Sequence, residues 1–195
     1  MNLLSDQVSQ EEVDIIIREL KKVIDGGVRG DVVEFGCYVG TTSVYLARHL
    51  ISTGQRLYVY DSFEGLPEKT KEDISPLGGQ FDVGELFAAK KLFVKNITQA
   101  RVPMPIIKKA WFSDLTPGDV PNNIAFAFLD GDYYDSIKSS LKIIESNMSH
   151  GAVIIVDDYG NPALPGATKA IDEWLVEHRY SKKVERSLMI IQIPH

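Results

Sequence analysis

A single cysteine, Cys37, stands in a chain of 195 residues, so an internal disulfide and a cysteine-rich zinc site are both excluded. A lone thiol of this kind is more often a small packing residue than a nucleophile. Histidine is scarce as well: there are four, none at a metal-ligand spacing from another. Long apolar runs are missing, and none approaches the ~20 residues needed to cross a bilayer. The opening stretch MNLLSDQVSQEEVD has neither a basic nor an apolar leader segment, so a cytoplasmic location without membrane attachment is expected. Positive charge is also in deficit, with 21 Lys and Arg against 27 Asp and Glu and a net charge of −6. A nucleic-acid binder needs clustered cations. The pairs Lys21–Lys22, Lys90–Lys91 and Lys182–Lys183 are scattered surface charge, and nucleic acid is not an expected partner.

What is present is alternation. Ser9 and Glu12 have capping-box spacing ahead of Val13, Ile16, Ile17, Leu20, Val23 and Ile24, which recur at helical period until Gly26–Gly27. Strands are predicted at Asp31–Cys37, Arg56–Phe63, Met104–Trp111, Ile124–Asp130 and Ala152–Asp157. Helices are predicted at Thr41–Leu50, Glu85–Ile97, Ser136–Asn147 and Ala167–His178. Val184–Arg186 and Leu188–Ile193 read as a closing strand pair. Strands alternating with helices imply right-handed crossovers and a mostly parallel α/β sheet covered on both faces. With no repeat or linker in view, one domain over 1–195 is expected, and a homo-oligomer is compatible with it.

Ligands of such sheets bind beyond the carboxyl ends of the strands. Those ends carry Glu34 to Gly36, Asp61 to Gly65, Trp111 to Asp114, Leu129 to Asp132 and Val156 to Tyr159. Any one of these clusters also fits an ordinary strand-to-loop turn; five on one edge call for a ligand. The first is the most discriminating. Glu34, Gly36, Gly40, Thr41 and Thr42 form a strand, a glycine turn and a helix start, but not the G-x-G-x-x-G of a dinucleotide site. Glu34 repels pyrophosphate and suits a cation. S-adenosylmethionine carries a sulfonium and an ammonium, with a carboxylate that needs donors; bare backbone, hydroxyls and a helix N-terminus supply them. Asp61, with Ser62 beside it, is placed for ribose hydroxyls, and Trp111 and Phe112 for adenine, although both aromatics also fit a core role. A nicotinamide-dependent oxidoreductase lacks its glycine loop here. Metal-dependent hydrolysis leaves Glu34 and Asp61 unexplained, and a catalytically silent binder of S-adenosylmethionine is the remaining alternative.

Asp130, Asp157 and Asp158 end two strands that, if adjacent, bring three carboxylates together. Their repulsion would be relieved by a hard divalent cation such as Mg²⁺. Consecutive strand residues face opposite ways, so Asp157 and Asp158 share an ion only where the chain has begun to turn; otherwise one of them caps a loop. A Lewis acid would sharpen a hydroxyl nucleophile, and Asp132 is the first candidate for the base, with Tyr133 and Asp135 behind it. The polar stretch Gly65–Gly84, with Pro67, Pro76, Gly78 and Gly79, reads as a mobile lid, and Asn161–Gly166 as the opposite wall.

These residues also resemble a known family. The strings DSFEGLP from Asp61, WFSD from Trp111, LDGDYYDS from Leu129, VDDYG from Val156 and PGA from Pro165 are similar, in order, to the macrocin O-methyltransferase (TylF/MycF-type) family. The resemblance runs from about Val32 to Ile171. It implies a class I methyltransferase fold, a Rossmann-like three-layer sandwich with a seven-stranded sheet and an antiparallel C-terminal strand. It further implies S-adenosylmethionine as donor at the glycine loop, Asp61 and Asp130, and Mg²⁺ at Asp130, Asp157 and Asp158. The acceptor implied is a hydroxyl of a small molecule, a sugar or a phenolic natural product. The chain departs from the pattern in its loop Cys37 to Thr42, which lacks an Arg-Gly-Gly character, and in a shorter stretch before the first helix than better-known members carry.

Overall fold

A computed structural model describes residues 3–78 and 81–194. Ser9 caps α1 (Gln10–Asp25) through the capping box that its spacing predicts: its hydroxyl accepts from the Glu12 N–H and the Glu12 carboxylate accepts from the Ser9 N–H. There follow β1 (Asp31–Phe35), α2 (Thr41–His49), β2 (Leu57–Asp61), α3 (Lys90–Ala100), β3 (Ile106–Lys109), β4 (Ile124–Leu129), α4 (Tyr134–Ile144), β5 (Met148–Val156), α5 (Pro165–Glu177), β6 (Ser181–Glu185) and β7 (Leu188–Gln192). The sheet runs β3-β2-β1-β4-β5-β7-β6, with β7 antiparallel to both β5 and β6 and every other pair parallel.

Period-two alternation splits the core into two layers. Val32, Val59, Phe126, Phe128, Val153 and Ile155 face α1, α2 and α3. Val33, Phe35, Ala127, Leu129, Ile154 and Val156 face α4 and α5. Strands β1, β4 and β5 are therefore apolar on both sides and read as continuous hydrophobic runs. The chain order reverses between β1 and β4, and a crevice opens there at the carboxyl ends.

Three elements start three or more residues away from the sequence reading. Helix α3 starts at Lys90 rather than Glu85 because residues 83–86 form turns, with Leu86 packed toward Leu66, Tyr133 and Leu164. Strand β6 starts at Ser181, where an exposed edge shows no apolar alternation. Strand β5 starts at Met148, ahead of an irregularity in its pairing with β4.

Helix α1 is tied to the distant edge strand through one buried carboxylate. Glu19 is 4% exposed and accepts from Arg18, Lys22 and Lys183 at 2.6–3.0 Å. Burial pushes the Glu19 carboxyl up, but the three cations outweigh it and hold it at about 2. A carboxyl depressed on folding contributes stability above its unfolded value and loses it as pH falls toward its folded one. Replacing Glu19 by Gln should therefore cost about 1–2 kcal/mol at pH 7, discounted for the exposed cations, with the gap closing between pH 4.5 and about 2. Thermal melts of both proteins across that range check it; a gap that stays constant with pH would remove the ion pairs as its cause.

Candidate functional site

The crevice is lined by the ends of β1, β2, β4 and β5 and by the segments that follow them. Its floor depends on a close backbone approach. Gly36 has φ +84°, and a Cβ there would fall 1.9 Å from the Asp130 carbonyl oxygen, so only glycine lets the turns after β1 and β4 touch. Asp61 secures the first of these turns. One of its carboxylate oxygens accepts from the Cys37 and Tyr38 N–H groups at 2.8 and 3.3 Å, and the other from the Phe63 N–H at 2.6 Å. A lone pair remains on the oxygen that Phe63 meets, and Asp61 lines the crevice beside Ser62. Trp111 and Phe112 form the wall beyond β3, where Phe112 packs edge-on against Phe35 at 5.3 Å.

Asp130, Asp132, Asp157 and Asp158 all face this space. One carboxylate oxygen from each of Asp130, Asp132 and Asp158 lies within 4.8 Å of the others, a group able to hold a metal ion. Both turns that arrange it are left-handed, with φ +58° at Asp132 and +59° at Asp158. Burial pushes the Asp130 and Asp132 carboxyls well above the usual range, and the neighbouring aspartates push the same way. Burial likewise raises Asp158, against a hydrogen bond donated by Asn161 at 2.9 Å.

The trio differs from the one expected, since Asp132 takes the place of Asp157. The Asp157 Oδ1 accepts from the Asp158 N–H at 2.7 Å and meets the Ser187 hydroxyl at 2.7 Å. That same hydroxyl lies 2.7 Å from Glu12 Oε1. A hydroxyl carries one proton, so both contacts are hydrogen bonds only if one carboxyl is itself protonated. Burial pushes Asp157 up to about 7, with Asp158 adding to it, whereas at Glu12 hydrogen bonds from Ser9 and Ser187 overcome burial and lower it. Ser187 thus lies between the acid cluster and the cap of α1. Sequence spacing identified Glu12 as a cap but gave no sign of Ser187.

Other expected site residues lie off the crevice. Glu34 is wholly buried below the floor, where it accepts from Ser43 at 2.5 Å and leaves Oε1 without a partner. Gly40 packs on Phe93. Thr41 meets Ser5 at 3.4 Å, and Thr42 is buried; neither lines the crevice. Tyr133 is turned away, its hydroxyl donating to the Phe81 carbonyl at 2.7 Å, so it anchors the loop instead of facing a substrate. The stretch expected to be a mobile lid is tied down at several points over its described residues; Gly79 lies outside them. Residues missed by the sequence reading include Cys37, Tyr38, Asp6 and Gln7, which complete the lining. Among the described residues no helix is long and apolar enough to cross a membrane.

Burial pushes Glu34 up to about 8, with the Ser43 hydrogen bond opposing and Asp61 adding to it. A carboxyl raised on folding favours the folded state most below its unfolded value of 4.5 and loses that advantage as pH climbs through about 8. Glu34→Gln should therefore melt close to wild type at pH 5 and several degrees higher at pH 9. An equal difference at both pH values would mean that Glu34 is already ionised in the fold.

With this geometry in view, the comparisons with known proteins are specific. The family model described as macrocin-O-methyltransferase (TylF) matches residues 7–192. A tetracenomycin-type 4'-O-methyltransferase of Streptomyces olivaceus is 28% identical over 149 residues, covering 72% of this chain and 57% of the relative. The mycinamicin III 3''-O-methyltransferase of Micromonospora griseorubida is 24% identical over 177 residues, 85% of this chain and 68% of the relative. The chain thus spans little more than half of the first of these relatives. Among solved structures, the O-methyltransferase NovP superposes with a TM-score of 0.78 at 23% identity, covering 94% of this chain and 79% of NovP. The calicheamicin methyltransferase CalS11 gives 0.78 at 17% identity, covering 93% and 78%. The fold is that of the class I methyltransferases.

Proposed function

Because the chain belongs to the macrocin O-methyltransferase (TylF) family, we propose that it transfers a methyl group from S-adenosylmethionine to a hydroxyl of a small molecule, a sugar or a phenolic natural product. The observation that carries this reading is the single crevice in which a donor half, formed by Gly36, Asp61, Ser62, Trp111 and Phe112, adjoins four aspartates. The Gly36 turn offers bare backbone to the amino-acid end of the donor, Asp61 accepts from its ribose, and the two aromatics flank its adenine. Glu34 acts beneath this half, holding its floor through Ser43.

The acid cluster fits a divalent metal by its donor set. Asp130, Asp132 and Asp158 present only hard oxygen, and their raised carboxyls mark charge that the protein itself leaves uncompensated. Mg²⁺ held there would supply Lewis acidity that lowers the acceptor hydroxyl's pKa. The side chains do the rest. Asp130 and Asp158 orient the hydroxyl, Asp132 takes its proton on a carboxylate oxygen, and the oxygen attacks the methyl carbon, forming the O–C bond as the C–S bond breaks and S-adenosylhomocysteine leaves. Leu66, Phe81, Leu86 and Leu164 exclude water from one flank. The carboxyl side chains of the lining are all aspartates, and Lys and Arg are not among its described residues, which favours an acceptor without phosphate.

Calorimetric titration with S-adenosylhomocysteine, and with NAD as the control, tests the donor. Saturable binding of S-adenosylhomocysteine alone is expected, weakened about tenfold or more in Asp61→Ala; binding of NAD instead would sink the reading. A transfer assay on hydroxylated acceptors tests the metal. Activity should be lost with chelator and in Asp158→Asn, while S-adenosylhomocysteine affinity stays within about threefold. Full turnover by that variant in chelator would remove the metal from the reaction.

A further inference from the structure

Asp73 stands outside the crevice lining, yet it is 2% exposed and fully engaged. It closes a single 3-10 turn, residues 71–73, in the loop between β2 and α3. Its Oδ2 accepts from the Thr70 N–H at 2.8 Å and from the Thr70 hydroxyl at 2.7 Å, which fixes the turn. Its Oδ1 reaches 61 residues along the chain to accept from the Tyr134 N–H at 2.7 Å. Tyr134 opens α4, whose own N-cap residue, Tyr133, offers no side-chain cap. The first N–H of that helix is thus capped by a remote carboxylate, where a negative charge also suits the helix dipole.

A third segment closes on the same atom. A Cβ on Gly166, in the first turn of α5, would fall 1.8 Å from Asp73 Oδ1 and 2.9 Å from the Tyr134 nitrogen. Glycine at 166 is what lets α5 press against the carboxylate and the start of α4 together. The contacts around it tighten the same junction. Lys169 pairs with Glu72 at 3.3 Å, and the Ser75 hydroxyl donates to the Pro162 carbonyl at 2.8 Å.

The two helix starts that meet at Asp73 are not arbitrary. One follows Asp132 by two residues; the other ends the loop that leaves Asp158 through Asn161 and Leu164. We propose that Asp73 is a positioning residue that sets the spacing of Asp132 and Asp158 by clamping the starts of α4 and α5 onto the β2–α3 loop. The inference rests on the reading of Asp130, Asp132 and Asp158 as a cation site. Asp73 touches neither substrate nor ion in this scheme. It holds the two left-handed acid turns at a fixed separation, whereas Gly36, Asp61 and Trp111 of the donor half are placed by β1, β2 and β3.

That division supplies the test. Mn²⁺ binding, read by electron paramagnetic resonance, and S-adenosylhomocysteine binding, read by calorimetry, are measured on wild type, Asp73→Ala, Asp73→Asn and Gly166→Ala, each first shown to be folded by its melt. Asp73→Ala should weaken Mn²⁺ at least tenfold while S-adenosylhomocysteine affinity changes less than threefold. Asp73→Asn, which keeps an acceptor for the Tyr134 N–H, should fall between it and wild type. Gly166→Ala, which keeps the carboxylate but forces the junction apart, should follow Asp73→Ala and carries the test if Asp73→Ala does not fold. Equal Mn²⁺ affinity in wild type and the folded variants, or equal weakening of both ligands, overturns the clamp. A wild-type protein that binds S-adenosylhomocysteine but not Mn²⁺ overturns the cation site, and the clamp with it.

Discussion

Like charges gathered at one edge of a parallel sheet push apart, and much of this molecule is arranged to hold four aspartates against that push. Asp130, Asp132, Asp157 and Asp158 face one crevice, and burial deprives them of the water that would screen them. Each is restrained from a different direction. Asn161 donates to Asp158, and Ser187 links Asp157 to Glu12 at the start of α1. Asp73 holds the helix that follows Asp132, and the Gly36 turn presses directly on the Asp130 backbone. In the proposed reading the residual repulsion is what would draw in a cation, so that local destabilisation and binding capacity would share one origin.

The loop from Gly65 to Gly84 carries anchors that its composition does not announce. Its prolines, glycines and charges read as a lid, and the described part is instead threaded by polar anchors. Tyr133 reaches Phe81, Ser75 reaches Pro162 and the Leu66 N–H donates to the Glu85 carbonyl. Polar residues signal a loop because they satisfy backbone outside regular structure. They do not reveal whether their partners are water or another segment.

The order of elements was legible because apolar strand-like runs alternate with helix-like stretches, and because 3.6 periodicity and the Ser9–Glu12 capping box mark α1. The five carboxyl-end clusters do gather on one edge, as alternation of strand and helix requires. Finer placement was hidden where it depended on direction. Glu34 and Asp61 are both acidic and both lie near strand ends, yet one is buried beneath the floor and the other lines the crevice. Asp132 comes within 4.8 Å of Asp130 and Asp158 because the chain turns left-handed at Asp132 and Asp158, and neither position is the glycine that would announce such a turn. Asp73 and Ser187 sit in unremarkable strings, and their partners lie 61 and 175 residues away.

The contact between Gly36 and Asp130 divides the molecule functionally. On one side of it lie β1, β2 and β3 with the donor half of the crevice; on the other lie β4 and β5 with the aspartates. The seam is made of main chain and leaves no room for a Cβ at Gly36. In the proposed reading, side chains on the acceptor side could therefore diversify toward new hydroxyls without altering how the two halves abut.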